Sequence, residues 1–175
     1  MRDKQESTGS QSFDGTEIQD FVRRVVTTTK PRLAVEIRAD AGFTLPLLQG
    51  LKDNGFGQLI VCDADAARRE RLRQETGEIG VQPPIAVELR DQSALKSKFD
   101  GPVDLLVCSR DHEQVVRQLL PEVNPCGAIL LYAGEDDHKA MRDSISKIEK
   151  EGLLSVVRLP ESLRLLMAQG RVGRK

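Results

Sequence analysis

The chain has 175 residues, 39% hydrophobic and 30% charged, enough for one domain with a sizeable core. Its 26 basic and 27 acidic residues leave a net charge of −1, which argues against general attraction to nucleic acid or an anionic membrane surface. No apolar run approaches the roughly 20 residues needed to span a bilayer, and the polar start Met1–Glu6 has no signal-peptide pattern.

The three cysteines, Cys62, Cys108 and Cys126, fit no zinc or redox spacing. Cys62 and Cys108 end apolar runs, where a free thiol behaves as a small core residue. A reducing cytoplasm is the simplest compartment for them.

Residues 1–15 are rich in Ser, Gly, Gln and charge and read as a mobile tail; residues 16–175 read as one domain. Thr16 and Gln19 form a capping-box pattern. Ile18, Phe21, Val22, Val25 and Val26 then recur at helical spacing up to Pro31. Leu33–Ile37 (LAVEI) reads as a buried strand. A helix over 45–54, closed by Gly55, and a strand over 58–62 follow. Asp65 caps a charged helix running to Gln74 and ended by Gly77. Ile85–Leu89 is a third strand, 92–98 a short helix, and Val103–Cys108 a fourth strand. A helix over 112–123 presents Val115, Val116, Leu119, Leu120 and Val123 on one face. Gly127–Tyr132 is a fifth strand, and 137–150 a helix with Met141, Ile145 and Ile148 inward.

Alternating strands and helices predict parallel βαβ units with right-handed crossovers. Continuous apolar strands predict a sheet covered on both faces. The end of the chain breaks the pattern. Residues 153–159 and 162–168 are both strand-like and separated only by Pro160-Glu161, a link that allows a hairpin but no parallel crossover. The expected fold is therefore α/β: a Rossmann-like, doubly wound, seven-stranded sheet, mostly parallel with a C-terminal antiparallel hairpin.

Four segments carry candidate chemistry. Val35-Glu36-Ile37-Arg38-Ala39-Asp40-Ala41-Gly42-Phe43-Thr44 resembles E-x-G-x-x-x-G-x-S/T, the first motif of class I S-adenosylmethionine (SAM) methyltransferases. It is most similar to the small-molecule O-methyltransferases and the cephalosporin-hydroxylase-like family. Glu36, Gly42 and Thr44 match; Arg38 replaces the first glycine, where its side chain would lie near the cofactor channel. The resemblance implies cofactor contacts at Glu36, Arg38, Gly42 and Thr44. It also implies that Asp63, ending the second strand, accepts from the ribose hydroxyls, and that Asp91, after the third strand, meets the adenine amino group. Each aspartate also has a plainer reading as a turn or cap residue. Arg90 stands where the family often has glycine. The arginines at 68, 69, 71 and 73 read as a solvated helix face rather than a phosphate-binding patch.

The last segment, Asp104-Leu105-Leu106-Val107-Cys108-Ser109-Arg110-Asp111-His112-Glu113, is similar to the family's D-L-(V/I)-x-(I/V)-D-G-D-H-x-(Y/E). Asp111 and His112 match its Asp-His pair. They are the candidates for acid–base chemistry, or alternatively caps of the following helix. Ser109 and Ala133 replace expected oxygen ligands of a divalent ion, so no catalytic metal is expected. Pro125-Cys126-Gly127 matches the usual Pro-Gly-Gly turn with one glycine lost.

The resemblance spans about residues 16–170. It implies SAM-dependent methyl transfer to a small-molecule acceptor, at oxygen, with no nucleic acid or membrane partner and a homodimer left open. The alternative is a non-catalytic methyltransferase-like domain acting as a binding or regulatory partner. An NAD-dependent oxidoreductase fits worse, since no G-x-G-x-x-G follows the first strand and Rossmann dinucleotide domains usually lack the hairpin.

Overall fold

Most of the apolar runs and helical stripes fold in the expected order in a computed structural model that describes residues 15–38, 42–93, 99–108, 112–133, 137–158 and 165–170; the short helix expected over 92–98 lies mostly outside them. The elements are α1 (Gly15–Thr29), β1 (Leu33–Ile37), α2 (Thr44–Asn54), β2 (Gly57–Asp63), α3 (Ala66–Glu78), β3 (Ile85–Asp91), β4 (Val103–Cys108), α4 (His112–Leu119), β5 (Val123–Tyr132), α5 (His138–Lys150), β6 (Leu154–Arg158) and β7 (Leu165–Gly170). The tail reading falls outside the described residues except at Gly15, which opens α1. Thr16 thus lies within the helix rather than capping it.

The seven strands form one sheet in the order β3-β2-β1-β4-β5-β7-β6. β1 pairs in parallel with both β2 and β4, so the chain winds outward in both directions from the β1/β4 boundary. β7 runs antiparallel to both β5 and β6. The antiparallel hairpin is therefore present, and its expected link at Pro160-Glu161 lies outside the described residues. Pairing of Arg158 with Leu166 sets the register.

Side chains alternate between two cores, as strand geometry requires. Val35, Ile37, Ile60, Leu106 and Ile129 join α4 and α5 on one face. Ala34, Leu59, Val61, Leu105 and Leu130 join α1, α2 and α3 on the other. Cys62 and Cys108 are buried free thiols, in keeping with their reading as core residues.

Three boundaries differ from the sequence reading. Gly77 lies inside α3, which runs on to Glu78. α4 stops at Leu119, where Pro121 supplies no N–H for another α-turn; a short 3-10 turn over Leu120–Glu122 follows. Val123 then opens β5 instead of closing the helix. The Pro125-Cys126-Gly127 segment lies within β5, where the pairing with β4 jumps from Val103↔Val123 to Leu105↔Ala128. Gly127 is required at that irregularity. A Cβ there would sit 2.9 Å from the carbonyl oxygens of Asn124 and Asp104.

Candidate functional site

The turn after β1 begins with a buried acid. Glu36 is 1% exposed, on the sheet face covered by α1 and α2, and accepts a 2.6 Å hydrogen bond from the Thr44 hydroxyl at the start of α2. The first and last matched residues of the motif are thus bonded to each other across the turn. Arg38 extends the ladder by one bond, its N–H donating to the Cys62 carbonyl at 2.8 Å. Its φ is 58°, the left-handed region that favours glycine. At this position the backbone thus takes a glycine-like conformation while carrying a long, partly buried cationic side chain. Gly42 also has positive φ, 70°. Residues 39–41 lie outside the described residues.

Phe43, next to Gly42, is buried and meets Tyr132 edge to face, with ring centroids 5.1 Å apart at 81°. This pair links the start of α2 to the end of β5. It was not foreseen; the only sequence signal is that the chain's one tyrosine ends an apolar strand.

Asp63 and Asp91 end β2 and β3 and are direct register partners. Two carboxylates on neighbouring strands repel, and the chain answers with cations from the first turn of α3. Arg68 Nη1 lies 3.1 Å from Asp63 Oδ2, and Arg69 Nη1 lies 3.1 Å from Asp91 Oδ2. Arg69 also donates to the Asp63 carbonyl. The remaining oxygens are held locally. Asp63 Oδ1 accepts from the Asp65 amide at 2.7 Å, and Asp91 Oδ1 accepts from the Ser93 amide and hydroxyl at 2.9 and 2.7 Å. The Ser93 bonds, and after them Arg69, hold the Asp91 carboxyl below the usual carboxylate range. Asp65 caps α3 as expected, accepting from the amides of Ala67 and Arg68.

The reading of the α3 arginines as a solvated face is therefore corrected: two of the four reach back to the strand ends. Their spacing from Asp63, five and six residues across a strand–helix turn, was the available signal. Arg90 does not crowd this pair. It pairs in register with Cys62 on the opposite face, where it grips Glu88 through two hydrogen bonds of 2.6 and 2.9 Å and lies 5.8 Å from the centre of the Phe99 ring.

Of the two candidate acid–base residues, His112 opens α4 just after β4, and Asp111 lies outside the described residues. The ends of β1, β2, β3 and β4 thus bring Glu36, Arg38, Asp63, Asp91 and the His112 backbone to the same edge of the sheet.

No protein-family model and no curated protein matches the chain. Solved structures do. A Streptomyces achromogenes O-methyltransferase of tomaymycin synthesis, in complex with SAM, superposes with a TM-score of 0.68 at 12% identity, covering 93% of this chain and 83% of that one. An SAH-bound methyltransferase of Podospora anserina gives 0.69 at 13%, covering 88% and 78%. A Corynebacterium glutamicum protein gives 0.71 at 21%, covering 92% and 83%.

The fold is that of the class I methyltransferases.

In a methyltransferase fold, as in open α/β sheets generally, ligands bind beyond the carboxyl ends of the strands, where the winding reverses. A groove of about 580 Å³ opens at the other end of the sheet, lined by Lys30, Arg32, Asp100, Asp104, Asn124 and Cys126 among others. Its central acid is structural, since Asp104 accepts from the amides of Arg32 and Leu33 and from the Asn124 side chain. Volume alone therefore does not outweigh the chemistry gathered at the carboxyl edge. Among the described residues, no group of three or more His, Cys, Asp or Glu is placed to hold a metal ion. Ala133, buried after β5, offers no oxygen ligand from its side chain. Nor is any described helix long and apolar enough to cross a membrane.

Proposed function

We propose that the chain binds SAM at the carboxyl edge of β1–β3 and transfers its methyl group to an oxygen of a small-molecule acceptor, without a metal. The observation that carries this reading is the pair Asp63/Asp91 beside a left-handed turn clamped by Glu36 and Thr44. The donor set fits the cofactor: one carboxylate for ribose hydroxyls, a second for the adenine amino group, and a turn that brings backbone close to the methionine end. Of the structures that share the fold, one was solved with SAM and another with SAH.

When bound, SAM supplies a methyl group on a sulfonium, open to in-line displacement by an oxygen nucleophile. The chain's own contribution is positioning and proton removal. Asp63 and Asp91 fix the nucleoside, and the backbone at Arg38 and Gly42 aligns the methionine end. Asp111 or His112 takes the proton from the acceptor hydroxyl. We place this reaction in the cytoplasm, where the three free cysteines stay reduced.

Calorimetric titration with SAM and SAH is the test. Binding of both is expected, and Asp63→Asn should weaken it about tenfold to a hundredfold, the worth of a hydrogen bond to a charged group. Any methyl transfer should survive chelation by EDTA. The second reading, a non-catalytic partner domain, is favoured by one feature: Arg38 stands where the backbone of the motif has no side chain. It takes the lead if neither the parent protein nor Arg38→Gly binds SAM at millimolar concentration.

A further inference from the structure

We propose that Arg68 and Arg69 form a latch on the nucleoside end of the site, so that adenosine must displace two guanidinium groups to reach Asp63 and Asp91. This deepens the reading above and rests on its assignment of those two acids to the nucleoside.

Four carboxylate oxygens are at stake. A carboxylate that holds a sugar diol must present its oxygens to the hydroxyls. Asp63 Oδ1 is taken by the Asp65 amide and Asp91 Oδ1 by Ser93, both bonds within a tight local turn that fixes the carboxylate plane. The other oxygen of each, Oδ2, is met by one arginine at 3.1 Å. Both arginines come from the first turn of α3, whose start is pinned by Asp65. Arg69 spans the two strands, bonding the Asp63 carbonyl as well as the Asp91 carboxylate.

A latch must also be able to open. The Arg68 side chain is 32% exposed and the Arg69 side chain 20%, so both can swing into water on flexible stems without breaking the core. Their pairing partners differ in depth: Asp63 is 2% exposed, whereas Asp91 is half exposed. Opening at Asp63 removes one donor from a buried carboxylate, and a ribose hydroxyl is a suitable replacement. The arginines thus raise the concentration of ligand needed to occupy the site and favour ligands that bring at least two donors.

The experiment titrates adenosine and SAH into the full chain and into Arg68→Gln/Arg69→Gln, at low and at high salt. The double variant should bind adenosine about tenfold more tightly, the worth of two partly exposed ion pairs. Parent affinity should rise with salt as screening loosens the pairs, and this dependence should vanish in the double variant. Equal or weaker binding by the variant overturns the latch and makes the arginines braces for the two acids. If the glutamine variant fails to fold, Arg68→Lys/Arg69→Lys keeps the charges without the planar fork. A severalfold gain is expected from it, and no gain overturns the proposal. SAM titrated into the same proteins separates the two readings. Adenosine bound more tightly by the double variant while SAM binds neither protein leaves the latch and removes the methyl-donor assignment. SAM bound equally by both does the reverse.

Discussion

Thr44 donates its hydroxyl to Glu36 at 2.6 Å across the turn that joins β1 to α2, and both side chains are buried. The bond joins residues eight apart and closes over Arg38 and Gly42, both in left-handed backbone. A buried carboxylate that loses a donor recovers less of its desolvation cost. Thr44→Val keeps the shape and removes the donor, so it should destabilise the fold by about 1.5–3 kcal/mol. Thr44→Ser should restore most of this. Urea denaturation of the three proteins measures both.

Arg38→Gly should act in the opposite direction. A side chain at φ 58° costs about 1–2 kcal/mol relative to glycine, partly offset by the greater freedom of glycine in the unfolded chain. The expected net gain is up to about 1 kcal/mol, read from thermal melting. The same variant should bind SAM more tightly, because it removes crowding and a like charge beside the sulfonium. Weaker binding would instead make Arg38 a clamp for the SAM carboxylate.

Gly127→Ala tests the irregularity in β5. The added methyl would meet three backbone carbonyl oxygens at 2.9–3.0 Å, none of which can rotate away. A loss of about 1–3 kcal/mol is expected, as for other overpacked sites. A melting temperature equal to that of the parent would show that the strand shifts freely there.

Much of the fold was legible because it rests on local patterns. The central strands follow from apolar runs such as Leu33–Ile37 and Val103–Cys108, and the faces of α1, α4 and α5 from helical spacing. What could not be read were the contacts made by long side chains across a turn. Arg68 and Arg69 sit in a charged helix whose pattern is the same whether a guanidinium points to water or back to Asp63. Likewise, nothing in Pro125-Cys126-Gly127 distinguishes a turn before a strand from an irregularity within one. Register against β4 decides it, and register is a property of two segments.

The thiols should separate by depth. Burial pushes the Cys62 thiol up to about 11, and Cys108 is fully enclosed, whereas Cys126 is exposed. A thiol-specific reagent at about pH 8 should therefore label Cys126 rapidly in the folded protein, with Cys62 and Cys108 reacting only on unfolding. Rapid labelling of Cys62 would contradict this packing.

Acid should destabilise the fold in a narrow range. Arg23 holds the Asp53 carboxyl low, the amides of Arg68 and Ala67 hold Asp65 low, and the Ser93 bonds hold Asp91 low. A carboxyl with a lowered folded pKa adds stability that is complete above its ordinary value of about 3.9 and is lost as pH falls through the folded value. The melting temperature should thus stay level down to about pH 5 and drop below about pH 4. A drop beginning near neutrality would point to a different titrating group.

β7 follows β6 in the chain yet lies between β6 and β5. Withdrawing that one strand would leave two open edges facing each other across a gap one strand wide, each with unpaired amides and carbonyls. The gap accepts only an antiparallel strand in a fixed register, and the best-matched filler is the same segment from another copy of the chain. Exchange of this strand between two molecules would therefore refill each sheet with the pairings it already makes.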